Sequence, residues 1–259
     1  MPNGGRPCHD SDMTDADVLH SEAPPGWLPI PAGALDTAKK QALNALDTKS
    51  TDPSGPRLAA YYDRDGNSAG ASFAELTPNE PLDITAADLH AVSLMSVTIG
   101  PGATRRFLDP GPVRTDLLTA LAAVPQLPLR NARSADLQSM AAFYERVKKH
   151  LRDRGVAASD RWVTASKICA RKRPYLFPVR DSVIRDFLGL SQYASYQVDL
   201  QVFRALIADP DILQGCDAAT AAAHLAPGRR RLAIDRERLR VLDAALWTFA
   251  PKARRPVSR

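Results

Sequence analysis

The sequence has 259 residues, 44% of them hydrophobic and 24% charged, with a formal net charge of +5 at pH 7, and this length is enough for one sizeable core. No apolar run is long enough to span a bilayer and the amino terminus does not read as a secretory signal, so we expect a cytoplasmic protein without membrane contact. Cys8, Cys169 and Cys216 are too far apart for a disulfide framework or a Cys-x-x-Cys zinc site, and buried thiols are the simpler interpretation.

The amino-terminal part of the chain differs from the rest in composition. Residues 1–33 are rich in Pro, Gly, Asp and Ser and have few large apolar side chains, which predicts disorder. Met13 is a second candidate for the true start. Leu35, Leu43 and Leu46 have helical spacing, and residues 48–56 have the composition of a linker. We therefore predict a largely disordered tail and linker with one helix over residues 1–55, a globular domain over 56–250 and a basic tail over 251–259.

Apolar residues recur at helical intervals through the predicted domain. Thr85 and Asp88 resemble a helix start, and Pro112 suits the first turn of a later helix. Three further segments carry the clearest pattern: Leu137, Met140, Tyr144, Val147 and Leu151; Tyr193, Tyr196, Leu200, Phe203 and Ile207; and Leu239, Leu242, Leu246 and Phe249. Residues 96–99 are the best candidate for a short strand. The predicted fold is therefore mainly α, a helical bundle with at most a short strand pair.

No short motif with an established chemical role is present. The sequence has no phosphate-binding loop, no His-Glu-x-x-His and no Gly-x-Ser-x-Gly. None of the five histidines has a partner at metal-ligand spacing. We therefore expect neither a metal nor a cofactor.

Positive charge is concentrated in the middle of the domain. From Arg146 to Arg185 there are twelve basic residues and three acidic ones. We expect seven of the basic side chains to contact the phosphates of duplex DNA: Lys148, Lys149, Arg152, Lys167, Arg171, Lys172 and Arg173. The alternative is an ordinary solvated helix face, with Lys172 and Arg173 placed against the negative pole of a helix end.

Segments spread over most of the domain resemble a family of uncharacterised bacterial proteins, known only as a domain of unknown function. The similar segments are Tyr61-Tyr62, Ser72 to Leu76, Ile84 to Leu89, Leu239 to Asp243 and Leu246-Trp247. This resemblance implies no particular activity.

Residues 155–190 are also similar to the helix-hairpin-helix DNA glycosylase superfamily. The matching positions are Thr164-Ala165, Lys167-Ile168, Phe177-Pro178, Asp181, Val183, Arg185 and Leu188-Gly189. The resemblance implies that Asp181 is the catalytic carboxylate for cleavage of a base-to-sugar bond. The lysine of bifunctional members aligns with Val163, which implies a monofunctional enzyme. The sequence departs from the pattern at the glycine-rich hairpin, which residues 157–162 replace, and in having two residues between Pro178 and Asp181.

The candidate site residues each have a second interpretation. Asp181 precedes an apolar run and suits a helix N-cap. Trp162 and Tyr175 could line a substrate pocket by stacking on a base, whereas aromatic residues of a helical domain more often belong to the core. We therefore predict a nucleic-acid-binding protein, at its most specific a monofunctional DNA glycosylase. The alternative is a non-catalytic helical module for protein interaction or regulation, which the missing hairpin glycine favours.

Overall fold

The computed structural model describes residues 23–152, 160–228 and 231–250. Within these ranges the chain is mainly helical, as predicted, and contains no β-strand. Its α-helices are α1 (Ala34–Leu46), α2 (Ser54–Tyr61), α3 (Gly70–Glu75), α4 (Ala86–Ser93), α5 (Pro101–Leu108), α6 (Pro112–Ala122), α7 (Ser134–Leu151), α8 (Trp162–Lys172), α9 (Ser182–Phe187), α10 (Tyr196–Ala208), α11 (Pro210–His224) and α12 (Arg238–Phe249). None of these helices has the length and apolar character needed to cross a membrane.

The centre of the bundle is built around α7 and α8. The predicted stripe on α7 is buried: Leu137, Met140, Tyr144, Val147 and Leu151 are each at most 3% exposed. Helix α8 packs against α7 on one side and α4 on another. Because α8 is enclosed in this way, each residue from Thr164 to Lys172 is buried. The charged residues of α8 must therefore find partners inside the protein.

Helix α1 packs into the bundle, although the predicted domain began at residue 56. Its Ala38, Ala42 and Ala45 are fully buried, and the helix contacts α10, α11 and α12. Small side chains let α11 approach closely: a Cβ added at Gly215 would lie 3.1 Å from Cδ1 of Leu46. The packed body therefore begins at about residue 34.

Part of the predicted tail also lies against the domain. The ring of Trp27 is partly buried, with its centroid 6.1 Å from that of Tyr196. The backbone N–H of Leu28 donates to Gln197 at 3.4 Å, and Gln201 donates to the Leu28 carbonyl at 2.8 Å. These contacts hold residues 27 and 28 on α10. The predictions for residues 1–22, including Met13, and for the tail after residue 250 concern residues outside the described ranges.

An extended segment before α12 is tied to the end of α2. In the described ranges, the backbone bridge lies between Asp63 and Leu232, flanked by a hydrogen bond of 3.0 Å from Ala233 N to Tyr62 O. Residues 96–99 form turn and coil instead of the predicted strand, and Ser96, at the start of the segment, adopts a left-handed conformation with φ of 60° that is not extended. The bridge brings residues 232–237 close to α2 and α12.

Candidate functional site

Four of the seven basic residues predicted to contact DNA lie in the interior. They are Lys167, Arg171, Lys172 and Arg173, each at most 6% exposed. Lys167 donates to the carbonyl oxygen of Met95 at 2.7 Å, and Arg173 donates to those of Pro81 and Leu121 at 2.7 and 3.1 Å. Burial lowers the pKa of both side chains. Side chains enclosed in this way do not reach a phosphate on the surface of the folded protein.

Asp88 is the anionic centre that holds the other two buried cations of this group. Its Oδ1 accepts from Arg171 Nε at 3.1 Å, and its Oδ2 accepts from Lys172 Nζ at 2.8 Å. The Asp88 side chain is 1% exposed. Arg171 also donates to three backbone carbonyl groups at the end of α3. Arg171 and Lys172 therefore tie α8 to α3 and α4.

The remaining three predicted DNA contacts lie at the carboxyl end of α7. Lys149 and Arg152 are exposed. Lys148 is partly buried, with its Nζ 5.9 Å from the ring centre of Tyr144 and 3.6 Å from the carboxylate of Asp160. The exposed basic surface formed by the predicted residues thus consists of Lys149 and Arg152. Of residues 157–162, which replace the glycine-rich hairpin, 157–159 lie outside the described ranges.

Asp181, Trp162 and Tyr175 occupy different surroundings. Asp181 is 8% exposed and caps α9, because its Oδ1 accepts from the backbone N–H of Ile184 at 2.9 Å. Trp162 packs against the guanidinium group of Arg180, 5.4 Å from the ring centre. Tyr175 lines a surface groove. The structure does not bring these three side chains together in any of the cavities described below.

A small cavity of about 30 Å³ lies between α2, α3, α9 and α12, and we call it the Asp243 cavity. Its aromatic walls are Tyr61, Tyr62, Phe73 and Trp247. Arg240 and Asp243, 4% and 5% exposed, form its polar wall. They lie one turn apart on α12 and form an ion pair with each other. The cavity thus combines aromatic rings with a buried pair of opposite charges.

The hydrogen bonds of this pair are incomplete. Oδ2 of Asp243 forms the ion pair with Arg240 and accepts, at 2.9 Å, from the backbone N–H of Val179. Arg240 also donates to the carbonyl oxygen of Phe177. Among the described residues, Oδ1 of Asp243 and both Nε and Nη1 of Arg240 have no hydrogen-bond partner. One acceptor and two donor atoms are therefore buried without partners in side chains that line the cavity.

Burial determines the protonation of the groups around the cavity. It raises the pKa of Asp243 to about 7; the charge of Arg240 opposes this shift, and Asp181 and Asp235 reinforce it. Burial also raises the pKa of the Tyr61 phenol above the ordinary tyrosine value, which is itself well above neutral pH. Asp181, the predicted catalytic carboxylate, does not line the cavity, but it accepts from the backbone N–H of Ile184, which does.

Two larger grooves meet the Asp243 cavity at Asp235. The Tyr175 groove, which also includes Arg130, His224 and Arg236, has a volume of about 480 Å³. The Asn79 groove has a volume of about 310 Å³. Asp235 lines both grooves and the cavity. Its carboxylate accepts from the backbone N–H of Glu237 at 3.0 Å, and burial raises its pKa.

Four residues of this site were not among the candidates from sequence: Tyr61, Asp235, Arg240 and Asp243. A signal existed for Arg240 and Asp243, because they are three positions apart in an otherwise apolar run and so share one face of a helix. The sequence around Asp235 shows no such pattern. The position of Asp235 depends on the backbone bridge between Asp63 and Leu232, which holds the segment before α12 against the end of α2. Within the described ranges, no group of three His, Cys, Asp or Glu side chains is arranged to hold a metal ion.

The chain matches the model of a family of unknown function, DUF6308, over residues 54–250. The match begins close to the predicted domain boundary at residue 56, and it confirms the predicted resemblance to a family without a known activity. No curated protein and no solved structure matches the chain. The similarity to helix-hairpin-helix glycosylases therefore gains no support. Because the match covers more than half of the chain, the chain belongs to the DUF6308 family.

Proposed function

We propose that the domain binds a small polar ligand at Asp235, where the Tyr175 groove and the Asn79 groove meet. The observation that supports this proposal is that Asp235 lines both grooves and the Asp243 cavity. Volumes of about 480 and 310 Å³ fall in the range of small-molecule sites, roughly 300–1,000 Å³. A carboxylate with a raised pKa in such a groove is the kind of group that binding sites and active sites use.

The lining of the grooves indicates the character of the ligand. Leu213 and Ile234, both partly exposed, supply apolar surface in the Tyr175 groove, and Tyr175 adds an aromatic face. Asp235 supplies a hydrogen-bond acceptor at the junction. The ligand that fits this surface has an apolar or ring-shaped body and a hydrogen-bond donor, such as a hydroxyl or amine, directed at Asp235.

Asp235→Asn is expected to weaken ligand binding about tenfold or more, because hydrogen bonds to charged groups contribute roughly 1.5–3 kcal/mol. The measurement is a fragment screen on the full chain, followed through backbone amide NMR shifts of residues 233–239. Asp65→Asn is the matched control, since Asp65 is an exposed carboxylate that lines none of the three cavities. A screen in which no fragment perturbs residues 233–239 would refute the proposal.

A second candidate function is binding of duplex DNA, supported by the exposure of Lys149 and Arg152 at the end of α7. In its most specific form, Asp181 would assist cleavage of an N-glycosidic bond. Phosphate contacts by two cations give weak binding that falls as salt rises, because each contact releases counterions.

Replacing both Lys149 and Arg152 by alanine is expected to lower the slope of log affinity against log salt concentration by about two, because two fewer counterions are released on DNA binding. Lys40→Ala with Lys49→Ala is the control pair, since both lysines are exposed and lie outside the basic segment. Asp181→Asn tests the enzymatic form: asparagine also caps helices well, so the fold should persist while any base excision disappears. Affinity that does not change with salt would exclude this candidate.

A further inference from the structure

Two side chains that line the Asp243 cavity carry polar atoms without hydrogen-bond partners in the described part of the chain. These atoms are Oδ1 of Asp243 and Nε and Nη1 of Arg240. Both side chains are more than nine-tenths buried and line the cavity. Native proteins leave few buried polar groups without a partner, and such groups commonly mark the place of a water, an ion or a ligand. The two side chains of the cavity wall therefore carry one unpartnered acceptor and two unpartnered donors.

The size of the cavity limits what can occupy it. A volume of about 30 Å³ holds one water-sized group, for which at least roughly 10–15 Å³ is needed. A ring does not fit. A hydroxyl group does fit, and its single oxygen both donates and accepts a hydrogen bond. It therefore matches the acceptor and the donors of the wall without adding a charge.

Aromatic rings border the same cavity. The ring centroids of Tyr61 and Trp247 are 5.7 Å apart, with the planes inclined by 46°. Trp247 is 37% exposed, so part of its surface is open to solvent beside the cavity. Such a flat apolar surface packs well against the C–H face of a saturated ring, whose hydroxyl groups point outward from the ring edge.

We propose that the Asp243 cavity is a subsite for one hydroxyl group of a neutral, hydroxyl-rich ring ligand, that is, a sugar or a sugar-like compound. The hydroxyl donates to Oδ1 of Asp243 and accepts from an N–H of Arg240, while the ring stays outside the cavity against Trp247. The inference rests on the proposed function, because it names the chemical class of the small ligand and uses the cavity that Asp235 shares with the grooves.

The test is a titration of the full chain with D-ribose and D-glucose, in parallel with tetrahydrofuran and tetrahydropyran, which have the same ring sizes and no hydroxyl groups. Binding is followed by NMR, through the chemical shifts of the Trp247 indole N–H and of the backbone amides of α12. The indole signal is assigned by its loss in Trp247→Phe. We expect a saturable shift with at least one sugar and none with the bare rings. Asp243→Asn should weaken sugar binding about tenfold or more, whereas Asp65→Asn should not change it.

One further variant keeps the test decisive. If Asp243→Asn does not fold, Trp247→Leu can be used in its place, because Trp247 is partly exposed. This variant should also weaken sugar binding, measured through the shifts of the α12 amides. Equal binding of sugars and bare rings would overturn the hydroxyl subsite, and so would the absence of any shift near the cavity, which would assign the cavity to water alone. Neither result affects the small-ligand proposal, which fails separately if no fragment perturbs residues 233–239.

Discussion

Asp88→Ala is expected to lower the free energy of unfolding by about 3–5 kcal/mol, because it leaves two buried cations without their anion. Arg171 and Lys172 are 2% and 4% exposed, and both bind the Asp88 carboxylate. Asp88 also forms a capping box with Thr85 at the start of α4, so part of the loss comes from the helix end. Urea denaturation followed by circular dichroism measures the change.

Asp217→Ala is the matched control for this prediction. Asp217 pairs with Arg238 at 2.8 Å, but the two side chains are 57% and 45% exposed. Exposed ion pairs contribute at most about 1 kcal/mol, since water already solvates both charges. If Asp88→Ala costs no more than Asp217→Ala, the buried network is not a structural tie, and the lysine and arginine of α8 would again be candidates for binding an external anion.

The helical fold could be predicted because its evidence is local. The stripe on α7 repeats every three or four residues, and the Thr85–Asp88 capping box requires only four consecutive positions. The sequence predicts α1 as a helix but places it before the domain, because residues 48–56 have the composition of a linker. Its alanines make much of the contact: Ala38, Ala42 and Ala45 are fully buried beside Leu46, and small residues carry a weak hydrophobic signal.

The candidate site could not be predicted for two physical reasons. A count of basic residues does not show which side of a helix faces solvent, and α8 is enclosed on more than one side. Its lysine and arginine side chains are therefore buried with internal partners. The site itself joins Tyr61 on α2, Asp235 before α12 and Asp243 on α12. Only tertiary packing brings such distant segments together, so no spacing in the sequence marks them as one group.

Asp243 is expected to make the protein less stable as the pH rises from about 4 to about 7. Burial raises the pKa of its carboxyl from 3.8 to about 7. Between these values the folded chain holds a proton on Asp243 that the unfolded chain has already lost, so the free energy of unfolding falls with pH. Below pH 4 both states are protonated and this stabilisation is fully present; above pH 7 it is lost. The loss is on the order of 4 kcal/mol, at about 1.4 kcal/mol for each pH unit.

Asp243→Asn removes this titration and tests it. Urea denaturation of the wild-type chain and of the variant at several values between pH 4.5 and 7.5 gives the difference in unfolding free energy as a function of pH. As the pH rises, the unfolding free energy of the variant should increase relative to that of the wild-type chain. The variant also loses the partner of Arg240, but that loss shifts the difference by a constant amount and does not change its slope with pH. Asp217→Asn is the control, because a partner arginine holds the pKa of Asp217 below its ordinary value and it titrates below this range. A difference for Asp243→Asn that stays constant over the range would show that Arg240 keeps Asp243 ionised throughout, since a permanently charged pair adds no slope.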